Sequence, residues 1–270
     1  MRFQTTGIFA AVRRLVASFT FSSFFLASFA LAFCAVAQAD ARWAHIDGVT
    51  DGDTVTLASG EAIRLMGIDA PEGKRVAVAQ PFYLEAKQAL AELVQGRRVK
   101  MVQGTSLVGV YGRTLAYLHL PDGTDVQREM LRRGYAMMTA YPPDLNHLHD
   151  YGVVEAEARR NRVGLWGHPY FAVQRIGQGA AIQGGPGRIA GVITAASATG
   201  TRVEITVEDR LKIQILHAFW QKFWPGQDAQ AWIGQRALAQ GRVKSKSMTM
   251  RIRHPSMLKI GAQANEYADE

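Results

Sequence analysis

The chain has 270 residues, 48% of them hydrophobic, with 31 lysines and arginines against 23 acidic residues and a formal net charge of +8. That length and apolar content give one large domain or two small ones with a proper core. A single cysteine excludes a disulfide framework, and the positive balance suits a polyanionic partner, either nucleic acid or an anionic membrane surface.

The first segment reads as a targeting signal rather than as fold. Arg2, Arg13 and Arg14 precede an apolar run from about Leu15 to Val36, and Ala37-Gln38-Ala39 forms a small-x-small cleavage site before Asp40. Residues 1–39 are therefore expected to be a cleaved signal peptide, and the product to be secreted or periplasmic. The run is close to the about 20 residues that span a bilayer, so an uncleaved anchor is the competing reading. Ser18, Thr20, Ser22, Ser23 and Ser28 dilute the run and favour cleavage. The one cysteine, Cys34, lies inside this segment, so the mature chain is expected to have no thiol chemistry.

From Trp43 to Asp69 the pattern is strand-like, with turns at Asp51-Gly52 and Ser59-Gly60. A helix is expected over 81–95, with Leu84, Ala86, Ala89, Leu90, Leu93 and Val94 on its apolar side and Gly96 as its stop. Strands return at Val99–Val102 and Thr114–Leu120, and Pro121-Asp122-Gly123-Thr124 marks a turn. Helices follow at Val126–Arg133 and about Leu145–Arg162, closed by Gly134 and Gly164. Residues 176–187 are glycine-rich and read as a linker between a domain at 40–175 and a small β-rich domain at 188–270. In the latter, strands are expected at Ile189–Ala195, Val203–Val207, Leu211–Ile215, Arg242–Lys244 and Met248–Ile252. A helix is expected around Ala229–Leu238 and a frayed tail at Ala262–Glu270.

Three segments carry chemistry: Asp51-Gly52-Asp53-Thr54, then Arg64 through Asp69-Ala70-Pro71-Glu72, then Tyr111-Gly112-Arg113. Taken singly, each is an ordinary turn or a solvated charge. Together they supply what phosphodiester cleavage needs. Carboxylates such as Asp53 and Asp69 suit a hard cation. Water must also be oriented or deprotonated for in-line attack. Arginine forks match pairs of phosphate oxygens.

In the order DGDT, R-x-x-x-x-D-x-P-E, YGR-x-L-A-Y and a closing Gly-Leu-Trp, residues 43–167 resemble the staphylococcal nuclease (thermonuclease) family. The resemblance implies a β-barrel with packed helices, five-stranded and of the oligonucleotide-binding type. It also implies metal-assisted hydrolysis of DNA or RNA with Ca2+ as cofactor. Carried onto this sequence, Asp53, Asp69 and the carbonyl of Ala70 would hold calcium, with Asp51 supporting them. Glu72 would activate water, and Arg64 and Arg113 would grip the scissile phosphate. Tyr111 and Tyr141 would face the nucleotide or else pack in the core. Three departures bear on nucleotide preference, one being that the helix beginning Pro81-Phe82-Tyr83 lacks the glycine that many relatives carry there. Gly73–Gln80 replaces a lysine-rich loop, keeping only Lys74 and Arg75, and Thr139 or Ala140 replaces an aromatic residue.

Residues 188–261 resemble the β-rich tail that follows the nuclease domain in some bacterial relatives, on the strength of Gly241-Arg242-Val243 and Arg251-Ile252-Arg253-His254-Pro255, and an oligonucleotide-binding type barrel is one form such a tail takes. Phe219, Trp220, Phe223, Trp224 and Trp232, interleaved with Lys222, fit either a base-stacking surface or the core of a small domain; their size favours the core. A rival reading is a nucleic-acid-binding protein of the same fold without catalysis. The joint presence of Asp53, Asp69, Glu72, Arg64 and Arg113 argues against it.

Overall fold

The computed structural model describes residues 41–73, 79–108, 113–177 and 181–266, without the side chains of 106–108 and 266. The expected signal segment 1–39 and Tyr111 lie outside the described residues. Among those described, no helix is long and apolar enough to cross a membrane.

Strands β1 (Ala41–Asp51), β2 (Thr54–Leu57) and β3 (Ala62–Leu65) form a meander, and β4 is the short pair Ile68–Asp69. Helix α1 (Tyr83–Val94) leads to β5 (Arg98–Val108) and β6 (Thr114–His119). The order β1-β2-β3-β6-β5 closes into a barrel, in which only β3 and β6 run parallel. Closure removes the sheet edges and points alternate residues inward. Ile46, Val55, Ile63, Leu65, Val99, Met101 and Leu118 fill the interior with no exposure at all. Each such side chain contributes about 1.5–3 kcal/mol on burial. Helix α1 lays Ala86, Leu90 and Val94 on this core and stops at Gly96, whose φ of 69° needs no Cβ. Helices α2 (Val126–Arg132) and α3 (Leu148–Arg160) pack on each other, with β7 (Met137–Met138) between them in sequence.

The remaining chain repeats the plan. After β8 (Gln174–Arg175) come β9 (Gly185–Ala198), β10 (Arg202–Val207) and β11 (Leu211–Leu216), then helix α4 (His217–Phe223), β12 (Arg236–Lys244) and β13 (Thr249–Ile252). Strand β12 pairs with β9 as well as with β13, and β11 pairs with β13 in parallel, so β9-β10-β11-β13-β12 is a second closed barrel. Strand for strand it has the connectivity of the first, with a helix between the third and fourth strands in each. Strand β14 (Leu258–Ile260) adds outside β12, and α5 (Ala262–Glu266) follows it.

Two expectations for this half change, and the favoured reading of its tryptophans holds. Residues 229–238 are a single 3-10 turn at Ala229–Trp232 and then strand, because Gly234 at φ 84° breaks any helix there. The segment expected to be frayed begins with α5, pinned by buried Ala264. The tryptophans are core: Trp220, Trp224 and Trp232 are each 8% exposed, and the first two stack with centroids 5.5 Å apart. Within the glycine-rich run, Ile176 and Ile182 are buried in the second core, and β9 already starts at Gly185. Ala140 belongs to that second core too, and Leu145 and Leu148 pack against it.

Candidate active site

The hairpin from β1 to β2 delivers the first acids. The Asp53 amide donates to Asp51 Oδ1 at 3.2 Å, which sets the turn. Gly52 sits beneath it, where an added Cβ would stand 2.7 Å from the Cβ atoms of both Ala70 and Ala86. Only glycine lets the turn seat against the loop and helix α1. Gly52→Ala is therefore expected to cost about 1–3 kcal/mol by overpacking. A thermal melt would show it as a lower Tm, and an unchanged melt would mean the turn has slack.

Asp53 is buried among donors. Its Oδ1 accepts from Thr54 Oγ1 at 3.0 Å, and its Oδ2 accepts from the Ala70 amide at 2.8 Å and pairs with Arg64 at 2.9 Å. Burial nevertheless pushes its carboxyl up to about 7. Asp51 and Asp69 add to the rise, while Arg64 and the Ala70 N–H oppose it. Burial decides the direction: it outweighs Arg64, the largest opposing influence, and the two acids only add to it.

Arg64, on β3, points into the cluster and is 7% exposed. Its Nη2 bridges Asp53 Oδ2 and Asp69 Oδ1, both at 2.9 Å. Its Nη1 donates to the carbonyls of Ile68 at 3.0 Å and Leu65 at 3.1 Å. The guanidinium thus ties both carboxylates to the backbone that carries them. Asp69 stands on β4, which β7 holds through the register Asp69↔Met137.

Glu72 is placed by a residue that sequence reading passed over. The Glu72 amide donates to Gln80 Oε1 at 2.8 Å, and the Gln80 amide returns a bond to the Glu72 carbonyl at 2.9 Å. Gln80 Nε2 then donates to the Gly184 carbonyl at 2.7 Å. The loop 74–78 between them lies outside the described residues. Arg113 joins at one remove: its Nη1 donates to Thr54 Oγ1 at 3.2 Å, and that hydroxyl donates to Asp53.

The second barrel supplies the remaining member. Arg242 Nε and Nη2 grip Asp69 at 3.0 Å and 2.5 Å, Nη2 reaches the Ala70 carbonyl at 3.2 Å, and Nη1 meets Glu72 Oε1 at 3.0 Å. Asp51, Asp53, Asp69, Ala70, Glu72 and Arg64 are thus brought together, with Arg113 at the edge. Tyr141 is half-buried against the first core, and Arg253 lies 5.0 Å over its ring. No sequence signal joined Arg242 to Asp69 or Gln80 to Gly184, since those contacts are long-range.

Among the described residues no three acidic, histidine or cysteine side chains form a closed metal cage. The site instead offers oxygens: Asp69, the Ala70 carbonyl and Glu72, with Asp53 behind them. An all-oxygen set fits a hard cation such as calcium, and this set already draws a cationic group onto itself.

A family model for staphylococcal nuclease homologues matches residues 62–168. Micrococcal nuclease of Shigella flexneri is 34% identical over 144 residues, which cover 47% of this chain and 77% of that protein. The chain belongs to the staphylococcal nuclease homologue family. Thermonuclease of Staphylococcus intermedius is 29% identical over 122 residues, 44% of this chain and 72% of that protein. Probable staphylococcal-like nuclease CAN1 of Oryza sativa subsp. japonica is 38% identical over 111 residues, 41% of this chain but only 30% of the plant protein. These nuclease homologues support nuclease activity for this chain.

Proposed function

We propose that this protein is an exported, calcium-dependent nuclease that hydrolyses phosphodiester bonds of DNA, RNA or both. The observation that carries the reading is the convergence of Asp53, Asp69, the Ala70 carbonyl and Glu72 beside Arg64, with Arg113 linked to them through Thr54. Asp53, Asp69 and the Ala70 carbonyl would hold calcium, which would supply positive charge against the phosphate oxygens. Glu72, whose side chain is 29% exposed at the open side, takes a proton from water. The water oxygen bonds to phosphorus as the bond to the leaving ester oxygen breaks. Arg113 donates to the non-bridging oxygens, and Arg64 adds its charge from beneath while holding the two aspartates in place. Export rests on the basic and apolar N-terminal segment that ends in Ala37-Gln38-Ala39.

Incubation of the purified protein with DNA and RNA in calcium, magnesium or chelator tests the reading. Cleavage is expected with calcium, weakly with magnesium, which demands a tighter octahedral shell, and not in chelator. Full activity in chelator would remove the metal from the mechanism. Mass spectrometry of the exported protein should find a mature N-terminus near Asp40; an intact apolar segment in a membrane fraction would replace export with anchoring.

A further inference from the structure

Arg242 makes the longest-range contact in the site: it lies 173 positions beyond Asp69, on a strand of the other barrel. Its partners are the oxygens assigned above to the cation and the attacking water, namely both Asp69 oxygens, the Ala70 carbonyl and Glu72 Oε1. A guanidinium at 2.5–3.2 Å from these atoms and a calcium ion at about 2.3–2.6 Å from them claim the same volume. We propose that Arg242 is a built-in stand-in for the metal. It seats on the carboxylates when no cation is bound and must leave for one to enter, so the second barrel sets the apparent calcium affinity. The proposal rests on the metal reading given above.

The strand geometry allows this exchange without moving a domain. On β12, Ala237, Ala239 and Val243 face the second core, while Gln240 and Arg242 project from the opposite face. Gln240 is anchored to Glu155, its Nε2 donating at 3.0 Å to each carboxylate oxygen. The strand therefore stays put, and the flexible Arg242 side chain, 32% exposed, can swing outward alone. Charge gives the seat its purpose. Asp53 and Asp69 share Arg64, Asp51 stands beside Asp53, and Glu72 meets Asp69 across the Arg242 guanidinium. Arg242 holds the cluster together until a divalent ion, with twice the charge, replaces it. Apparent affinity falls by the fraction of molecules whose seat is open, so an arginine seated 90–99% of the time weakens it about 10- to 100-fold.

Calorimetric titration of calcium into the full-length protein, without nucleic acid, tests this apart from turnover. Arg242→Ala is expected to bind calcium about tenfold or more tightly than the parent. In chelator it should melt at a lower temperature than the parent, and added calcium should raise its Tm by more. Arg242→Gln, which keeps bulk and polarity, should shift affinity the same way if the alanine variant folds poorly. Lys244→Ala removes an equal charge from the same strand at an exposed position and should leave affinity within about threefold. Equal or weaker affinity in Arg242→Ala, or the same gain in Lys244→Ala, would overturn the stand-in role and leave the metal reading intact. Absence of calcium binding in the parent and in both Arg242 variants would overturn the metal reading, and the stand-in with it.

Discussion

Arg64→Lys is expected to lower kcat for DNA cleavage by about two to three orders of magnitude and to lower Tm as well. Arg113→Lys should cost a comparable share of turnover while leaving the melt nearly unchanged. The contrast follows from what each guanidinium touches. One nitrogen of Arg64 spans Asp53 and Asp69, and the other is committed to the carbonyls of Ile68 and Leu65. A lysine keeps one charge but cannot serve four acceptors in two directions. Two buried carboxylates would lose their brace, and each buried polar group left short of a partner costs about 1–3 kcal/mol. Arg113 stands at the edge of the site, where its Nη1 contacts the Thr54 hydroxyl. Its loss should fall on the transition state rather than on the fold. Paired measurements of kcat/KM and thermal unfolding separate the two roles. Near-normal turnover in Arg64→Lys would remove that residue from the mechanism, and an unchanged melt would mean that its brace is dispensable.

Local chemistry was legible in the sequence wherever a single segment carries it. The helix expected over 81–95 forms as Tyr83–Val94, and that expected over Val126–Arg133 as Val126–Arg132, because their apolar faces and the glycines after them act within one or two turns. Alternation in Val203–Val207 likewise fixed β10. Asp53, Asp69 and Glu72 were readable because short motifs place them on turns and strand ends. Long-range geometry was not readable. The two barrels share a topology, yet no sequence periodicity announces it, since connectivity constrains only where strands go and not which apolar residue fills each layer. Ala229–Leu238 looked helical by composition, and Gly234 decides otherwise through its positive φ. Gln80 bridges to Gly184 over 104 positions, and Arg242 to Asp69 over 173. Gly241-Arg242-Val243 carries a likeness to the β-rich tail, but nothing local joins that arginine to Asp69 or that glutamine to Gly184.

Glu155→Ala should destabilise the protein by about 3–5 kcal/mol, the cost of stripping a buried charge of its partner. Glu155 is 2% exposed, on helix α3. Its Oε1 accepts from the Met138 amide at 2.6 Å, and its Oε2 pairs with Arg159 at 2.6 Å. Gln240 of β12 donates to both oxygens and also to the Met138 carbonyl at 3.1 Å. One carboxylate therefore gathers the strand β7, which holds Asp69 in register, the helix α3 and the second barrel. Alanine would remove every bond to this carboxylate at once and leave a cavity. Against a typical total of 5–15 kcal/mol, that loss would put a substantial share of molecules near unfolding at moderate temperature. Glu155→Gln retains an acceptor for Met138 and Gln240 but withdraws the charge facing Arg159, so it should cost clearly less. Gln240→Ala should cost about 1–3 kcal/mol through the acceptors it leaves buried. Because Glu155 and Gln240 share a bond, the double variant should fall short of the sum of the two single costs. Urea unfolding of the parent and the four variants gives these differences directly. A Glu155→Ala midpoint within about 1 kcal/mol of the parent would show that the barrels are held together by their apolar contact through Ala140, Leu145 and Leu148 rather than by this carboxylate.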